Sequence, residues 1–250
     1  MAEKIIGILG GMGPEATIDF FAKIVKGTRV KKDQDHLRIL INNNPKIPNR
    51  TLAIQGKGPS PLRQMVRSAK VLEDAGADFI VIPCVTAHHF YDPLQKKIGI
   101  PIIHIVHETV RHIQNHFQGI EKIGLLATTG TLQAGLFQKA FAHSKIGLIL
   151  PTRDLQKYRI MEAIFGKEGI KTIGPSGKSK RLILEASRKL IRQGAQAIIA
   201  GCTEVPLVLK KGDLPVPVID PVAILAKVAI EEAQRKMNWV SFPLPDRERG

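Results

Sequence analysis

Short runs of Ile, Val and Leu alternate along the chain with longer stretches whose apolar residues recur at three- and four-residue spacings. The runs at 5–10, 38–42, 79–83, 101–105, 122–127, 146–150, 197–201 and 216–219 are continuous rather than alternating, so they predict strands buried on both faces. The stretches 15–28, 61–75, 106–117, 131–142, 178–193 and 221–237 carry the helical period and predict amphipathic helices. Strands and helices in alternation define the α/β class, with parallel sheets, right-handed crossovers and ligands gathered beyond the carboxyl ends of the strands.

The pattern is written twice. Ile5-Ile6-Gly7-Ile8-Leu9-Gly10-Gly11 opens the first half, and Ile123-Gly124-Leu125-Leu126-Ala127-Thr128-Thr129-Gly130 opens the second. Leu72, Gly76, Ala77, Ile80 and Cys84 find counterparts, at identical offsets, in Leu190, Gly194, Ala195, Ile198 and Cys202. Gly7 and Cys84 lie 77 residues apart, Gly124 and Cys202 78. A proline-marked apolar run follows each cysteine, Ile100-Pro101-Ile102-Ile103-His104 and Val216-Pro217-Val218-Ile219-Asp220. Self-similarity over such a length implies two like lobes. The first is read as 1–117 plus 219–250, carrying Cys84, because the last helix follows a strand equivalent to 101–105; the second is 118–218, carrying Cys202.

The 250 residues are 44% hydrophobic and 24% charged, ordinary for a well-cored globular chain. No apolar stretch approaches the roughly 20 residues that span a bilayer, and Met-Ala-Glu-Lys leads into a strand rather than a signal peptide. The reading is therefore cytoplasmic, with no membrane partner. In that reducing compartment the two cysteines are read as free, buried or reactive, not as a structural disulfide. The net charge of +15, from 37 basic against 22 acidic residues, suits a small anion and leaves a basic nucleic-acid-binding module as an alternative of another class. Against that module, the cations are dispersed and aromatics make up only 5%, too few for base-stacking platforms, so no nucleic acid is expected as a partner.

Three motifs mimic other chemistries. Gly11-Met12-Gly13-Pro14-Glu15-Ala16 fits G-x-G-x-x-A between a strand and a helix, where a dinucleotide pyrophosphate would sit, but Leu40-Ile41-Asn42-Asn43 supplies no acidic residue at the end of the second strand. His107 and His112 lie five apart on a helix. At about 100° per residue that turns them some 140° from each other, so they do not share a metal, and no metal site is expected. Gly174-Pro175-Ser176-Gly177-Lys178-Ser179 ends like a phosphate loop, yet its glycines are too close together and no strand precedes it.

The cysteines carry a stronger signal. A single cysteine on an apolar strand is usually a small hydrophobe. Here both stand at strand ends, after Phe79-Ile80-Val81-Ile82-Pro83 and Ala197-Ile198-Ile199-Ala200-Gly201, with hydroxyls close behind at Thr86 and Thr203. Hydroxyls and the N–H groups of a helix start bind a carboxylate and lower a thiol's pKa. Two thiols in duplicated surroundings across a shared cleft are what inversion by opposed acid and base groups requires.

Gly10-Gly11-Met12-Gly13-Pro14, Pro45-Lys46-Ile47-Pro48-Asn49-Arg50-Thr51, Pro83-Cys84-Val85-Thr86-Ala87-His88, Leu126-Ala127-Thr128-Thr129-Gly130-Thr131 and Gly201-Cys202-Thr203-Glu204-Val205-Pro206 fall in order over nearly the whole chain. Together they resemble the cofactor-independent aspartate/glutamate racemase superfamily, most closely its aspartate racemase branch. Thr203-Glu204 after the second cysteine resembles that branch, where glutamate racemases carry Thr-His.

The resemblance implies two similar Rossmann-like lobes related by a pseudo-twofold axis, an active site in the cleft between them, and a homodimer. It implies a PLP-independent racemase of a small-molecule amino acid, aspartate or glutamate, with Cys84 and Cys202 on opposite faces of its Cα. One sulfur as thiolate removes the α-proton, the other as thiol delivers a proton to the opposite face, and no cofactor takes part. By the same resemblance Arg50 holds the side-chain carboxylate with its bidentate fork and Lys171 adds a second cation, while Met12, Val85, Thr86, Thr128, Thr129, Thr203 and Glu204 line the pocket. Racemases of this family read Cys-Asn-Thr where this chain has Cys84-Val85-Thr86, so the substrate loses an amide partner and the amino-acid preference stays open. A related isomerase such as maleate isomerase, with one cysteine as nucleophile, is the alternative within the superfamily.

Overall fold

Each of the eight expected apolar runs gives a strand: β1 (Ile6–Gly10), β2 (Ile39–Asn43), β3 (Phe79–Val81), β4 (Ile102–Ile103), β5 (Lys122–Leu126), β6 (Gly147–Ile149), β7 (Ala197–Ala200) and β8 (Val218–Ile219). They form two parallel four-stranded sheets of the same order, β2-β1-β3-β4 and β6-β5-β7-β8. The computed structural model describes residues 3–235. Residues 236–250 of the expected first lobe, with the end of the 221–237 helix, lie outside the described residues.

In chain order the helices are α1 (Pro14–Gly27), α2 (Arg50–Ile54), α3 (Leu62–Asp74), α4 (Tyr91–Gln95), α5 (Ile105–His116), α6 (Thr129–Ala134), α7 (Leu136–Phe141), α8 (Arg153–Leu155), α9 (Glu162–Phe165), α10 (Ile170–Ile173), α11 (Gly177–Arg192), α12 (Val205–Val208) and α13 (Pro221–Gln234). A π-helical turn, Gln156–Met161, joins α8 to α9. The single helix expected over 131–142 is two, because Gly135 takes left-handed backbone (φ 65°) and separates α6 from α7.

The recurrent Leu-x-x-x-Gly-Ala closes α3 and α11 in the same way. Gly76 (φ 91°) and Gly194 (φ 99°) turn the chain, and Ala77 and Ala195 donate their N–H back to the carbonyls of Leu72 and Leu190 at 3.0 and 3.1 Å. This closure satisfies late helical carbonyls and sets the direction in which the next strand leaves. Asp78 and Gln196 then donate to the carbonyls of Ile5 and Lys122, which starts β3 beside β1 and β7 beside β5.

Strand residues alternate between two destinations, as a period of two requires. Ile6, Ile8, Phe79 and Val81 from the first sheet and Ile123, Leu125, Ala197 and Ile199 from the second enter one common core with α1, α5 and α13. The intervening Ile80 and Ile82 pack with Met65, Ala69 and Leu72 of α3, and Ile198 and Ala200 with Ile183, Ala186 and Leu190 of α11. Continuing by twos, Cys84 joins the α3 cluster and Cys202 the α11 cluster. The period that buries the strands thus delivers both thiols to equivalent places. Val85, one step further, drops into the common core.

Candidate active site

Both thiols stand where a strand gives way to a turn. Cys84 caps the 3-10 turn Val85–Phe90 after β3, and Cys202 follows β7 two residues before Glu204, the cap of α12. Both are free and each is 5% exposed, so ordinary solvent does not compete for them. They line one small pocket together with Met12, Arg50, Val85, Thr86, Thr128, Lys171, Thr203 and Glu204, all expected there. Asn49, Thr51 and Phe165 line it too and were not expected, although Asn49 and Thr51 belong to the same loop motif as Arg50.

Glu204 organises the Cys202 side. Its Oε2 accepts from Cys202 Sγ at 3.0 Å and from Thr203 Oγ1 at 3.2 Å, while Lys171 Nζ donates to Oε1. Lys171 also donates to the Met12 carbonyl at 3.3 Å and lies 5.9 Å from the centre of the Phe165 ring. Burial pulls the Lys171 pKa down, but Glu204 and then the two sulfurs, Cys202 and Cys84, outweigh it and leave it raised. Lys171 is therefore an ammonium within electrostatic reach of both thiols. Burial pushes the Cys202 thiol well up, the Glu204 charge adds to this, and Lys171 opposes it without reversing it. Cys202 is a thiol in this arrangement.

Arg50 does not present the free fork expected of it. Its Nη1 donates to the carbonyls of Ile47 and Pro48 at 3.1 and 3.0 Å, and its Nη2 to that of Met12 at 3.1 Å. Its Nε is buried without a partner. The guanidinium clamps the 45–50 loop to the glycine turn after β1 and keeps two of its five N–H groups uncommitted, on Nε and Nη2.

Thr129 corrects a second expectation, since it does not line the pocket. Its hydroxyl accepts from Gln156 Nε2 at 3.2 Å and its N–H donates to Met161 Sδ at 3.3 Å, so both of its polar groups turn to the π-helical turn. Thr128 faces the other way. Its hydroxyl forms a buried triangle with those of Thr86 and Thr131, with sides of 3.0, 2.9 and 3.2 Å, which ties the turn after Cys84 to α6.

Behind Cys84, His88 Nδ1–H donates to the Cys84 carbonyl at 3.0 Å, and Nε2 accepts the N–H of Ile105 at 3.3 Å. The backbone donor at Nε2 fixes the tautomer. Burial lowers the His88 pKa to about 4, so the bridge is neutral at pH 7. The other helix histidines pair off, His107 stacking on His104 and His112 on His116 with ring centres 3.8 and 4.3 Å apart. Among the described residues no group of three or more His, Cys, Asp or Glu is placed to hold a metal ion. The Gly174–Ser179 stretch is the lead into α11, where Ser176 and Ser179 form a capping box.

The space between the thiols is tight, about 20 Å³, whereas a neighbouring recess of about 330 Å³ shares Arg50, Lys171 and Glu204 with it and is walled by Pro14, Pro45, Ile47 and Ile170.

With this doubled α/β fold and a thiol from each half in a common pocket, the chain is an isomerase that acts on amino acids, as its relatives are. A family model described as Asp/Glu/Hydantoin racemase matches residues 9–229, and the chain belongs to that family. The aspartate racemase of Picrophilus torridus superposes on it with a TM-score of 0.77 over 92% of this chain and 94% of its own, at 28% sequence identity. An aspartate racemase homologue of Pyrococcus horikoshii gives a TM-score of 0.68 at 26% identity, covering 92% of this chain and 99% of its own. A broad-specificity amino-acid racemase of Bacillus subtilis is 29% identical over 232 residues, 90% of this chain and 96% of its own. No helix among the described residues is long and apolar enough to cross a membrane.

Proposed function

We propose that the protein racemises small free amino acids, aspartate foremost, by proton transfer between two thiols without PLP. The observation that carries this reading is that Cys84 and Cys202, from equivalent ends of duplicated strands, line one buried pocket beside the ammonium of Lys171.

An amino acid does not fit in about 20 Å³, so the side chain of Lys171 or Glu204 gives way as substrate arrives from the recess that both also line. Lys171 then exchanges the Glu204 carboxylate for one of the substrate's. One sulfur as thiolate takes the α-proton, and the electron pair spreads from Cα into the α-carboxylate. The Lys171 cation stabilises that charge where water is scarce, in a pocket that Thr86, Thr128 and Thr203 also line. The opposed thiol returns a proton to the other face.

A wider substrate range is the second reading. Val85 favours it, because its side chain packs into the apolar core common to both sheets and offers no amide to a second carboxylate. The Bacillus subtilis relative, a racemase of broad specificity, is in keeping with it.

Purified protein, with no cofactor added, is incubated with single enantiomers in deuterated water. Inversion with α-deuterium incorporation is expected for aspartate, and each of Cys84→Ala and Cys202→Ala should abolish inversion. Inversion that survives both changes would sink the mechanism; equal rates for neutral amino acids would select the broader reading. A trapped thioether with maleate would instead point to the maleate isomerase alternative. We also propose a homodimer residing in the cytoplasm, the first checked by light scattering of the purified protein.

A further inference from the structure

We propose that Glu204 sets the proton inventory of the resting site: it holds Cys202 as the proton donor, leaves Cys84 to accept the first α-proton, and so commits the resting enzyme to one enantiomer. This rests on the two-thiol reading above. The duplication breaks at this residue. Two positions after Cys202 stands Glu204, whereas two positions after Cys84 stands Thr86, whose hydroxyl is spent on Thr128 and Thr131.

The two sulfurs accordingly have different neighbours. Cys202 Sγ–H donates to Glu204 Oε2 at 3.0 Å, and that carboxylate is only 2% exposed and already engaged by Thr203 and Lys171. A thiolate at Cys202 would face a carboxylate at hydrogen-bond distance in a dry site, two anions in contact. The Cys84 side chain makes no hydrogen bond among the described residues; Lys171 reaches both sulfurs, Cys202 the more strongly, but only at Cys202 is a carboxylate in contact.

In the first turnover the α-proton passes to the Cys84 thiolate, the C–H electron pair stays on the substrate, and the Cys202 proton is delivered to the opposite face. The site is left with Cys84 as thiol and Cys202 as thiolate against Glu204. It returns to rest when Cys84 loses a proton to water and Cys202 gains one. The enantiomer that needs Cys202 as base must wait for the disfavoured form.

The test is a first-turnover experiment, with native enzyme in excess over each pure enantiomer of aspartate in deuterated water. Cys202→Ala identifies the enantiomer facing Cys84, as the one that still exchanges its α-hydrogen without inversion. That enantiomer is expected to turn over about tenfold faster or more in the first event, and Glu204→Gln should bring the two rates within about threefold. Iodoacetamide at neutral pH, read by peptide mass, should label Cys84 of the native protein about tenfold faster than Cys202, a readout that needs no variant to fold. Equal first turnovers, a bias towards the other enantiomer, a bias unchanged in Glu204→Gln, or faster labelling of Cys202 would overturn the proposal alone. Absence of exchange from either enantiomer in the native protein would overturn the racemase reading and this proposal with it.

Discussion

Lys171 is the side chain on which the most depends. Its partner Glu204 is buried at 2% exposure, so Lys171→Met strands a carboxylate away from water. Breaking a buried pair in this way destabilises by about 3–5 kcal/mol. Urea denaturation should show that loss, and the double change Lys171→Met with Glu204→Gln should recover a large part of it, because the stranded charge is gone. A single variant as stable as the native protein would show that the pair contributes nothing.

The histidines behind Cys84 give the protein an acid limit. Burial lowers His88 from 6.5 to about 4, and burial, followed by its neighbours His88 and His107, lowers His104 to about 2. The folded pKa lies below the unfolded one in both, so the unfolded chain takes up protons first. Stability is full above about pH 6.5 and falls as pH drops towards 4, by about 3 kcal/mol for His88 alone. Unfolding midpoints measured from pH 7 to 4.5 should fall throughout, and His88→Asn should flatten the slope.

At this scale the sequence showed which residues gather but not which way they point. Thr128 and Thr129 are neighbours in one motif, yet one faces the pocket and the other the π-helical turn. His88 stood in the first cysteine motif without any sign that its ring would bridge Cys84 to α5. Arg50 lines the pocket, but the three carbonyls that occupy its fork come from backbone whose path no spacing reveals.

Among the elements, the duplicated helix endings are the most exposed to a test. Gly76 and Gly194 hold φ of 91° and 99°, where a side chain crowds the following carbonyl. Gly76→Ala and Gly194→Ala should each cost about 1–2 kcal/mol of stability in thermal or urea unfolding, and by similar amounts, because the two turns are built alike. No loss at either would show that the closure is not under strain. Strands and long helices were readable because continuous apolar runs and the 3.6 period persist over many residues. The segment from Arg153 to Ile173 was not, since α8, the π-helical turn, α9 and α10 are each only three to six residues long, too short for a period to register. Gly135 broke the expected 131–142 helix by local backbone conformation, which hydrophobic patterning does not encode.

For the whole molecule, the decisive feature is that the two sheets, besides the separate clusters under α3 and α11, share one core. Ile8 and Leu125 belong to one apolar cluster, and α13 packs on both α1 and α5. Calorimetry should therefore give one unfolding transition whose calorimetric and van't Hoff enthalpies agree, and a fragment ending at Phe117 should not fold, since it would leave its share of that cluster in water. Two resolved transitions would contradict this. The repeat in the sequence correctly announced two like sheets but gave no hint of the sharing, because the residues that face the partner sheet and those that face outer helices are equally apolar.

The common core also separates what each half is free to change. A substitution at a strand position that faces the common core disturbs packing that both halves use, so the repeats are bound to the same parity of buried residues. A substitution at a strand's mouth, Thr86 on one side against Glu204 on the other, reaches one sulfur alone. Twin halves built this way keep a matched spine while their tips specialise.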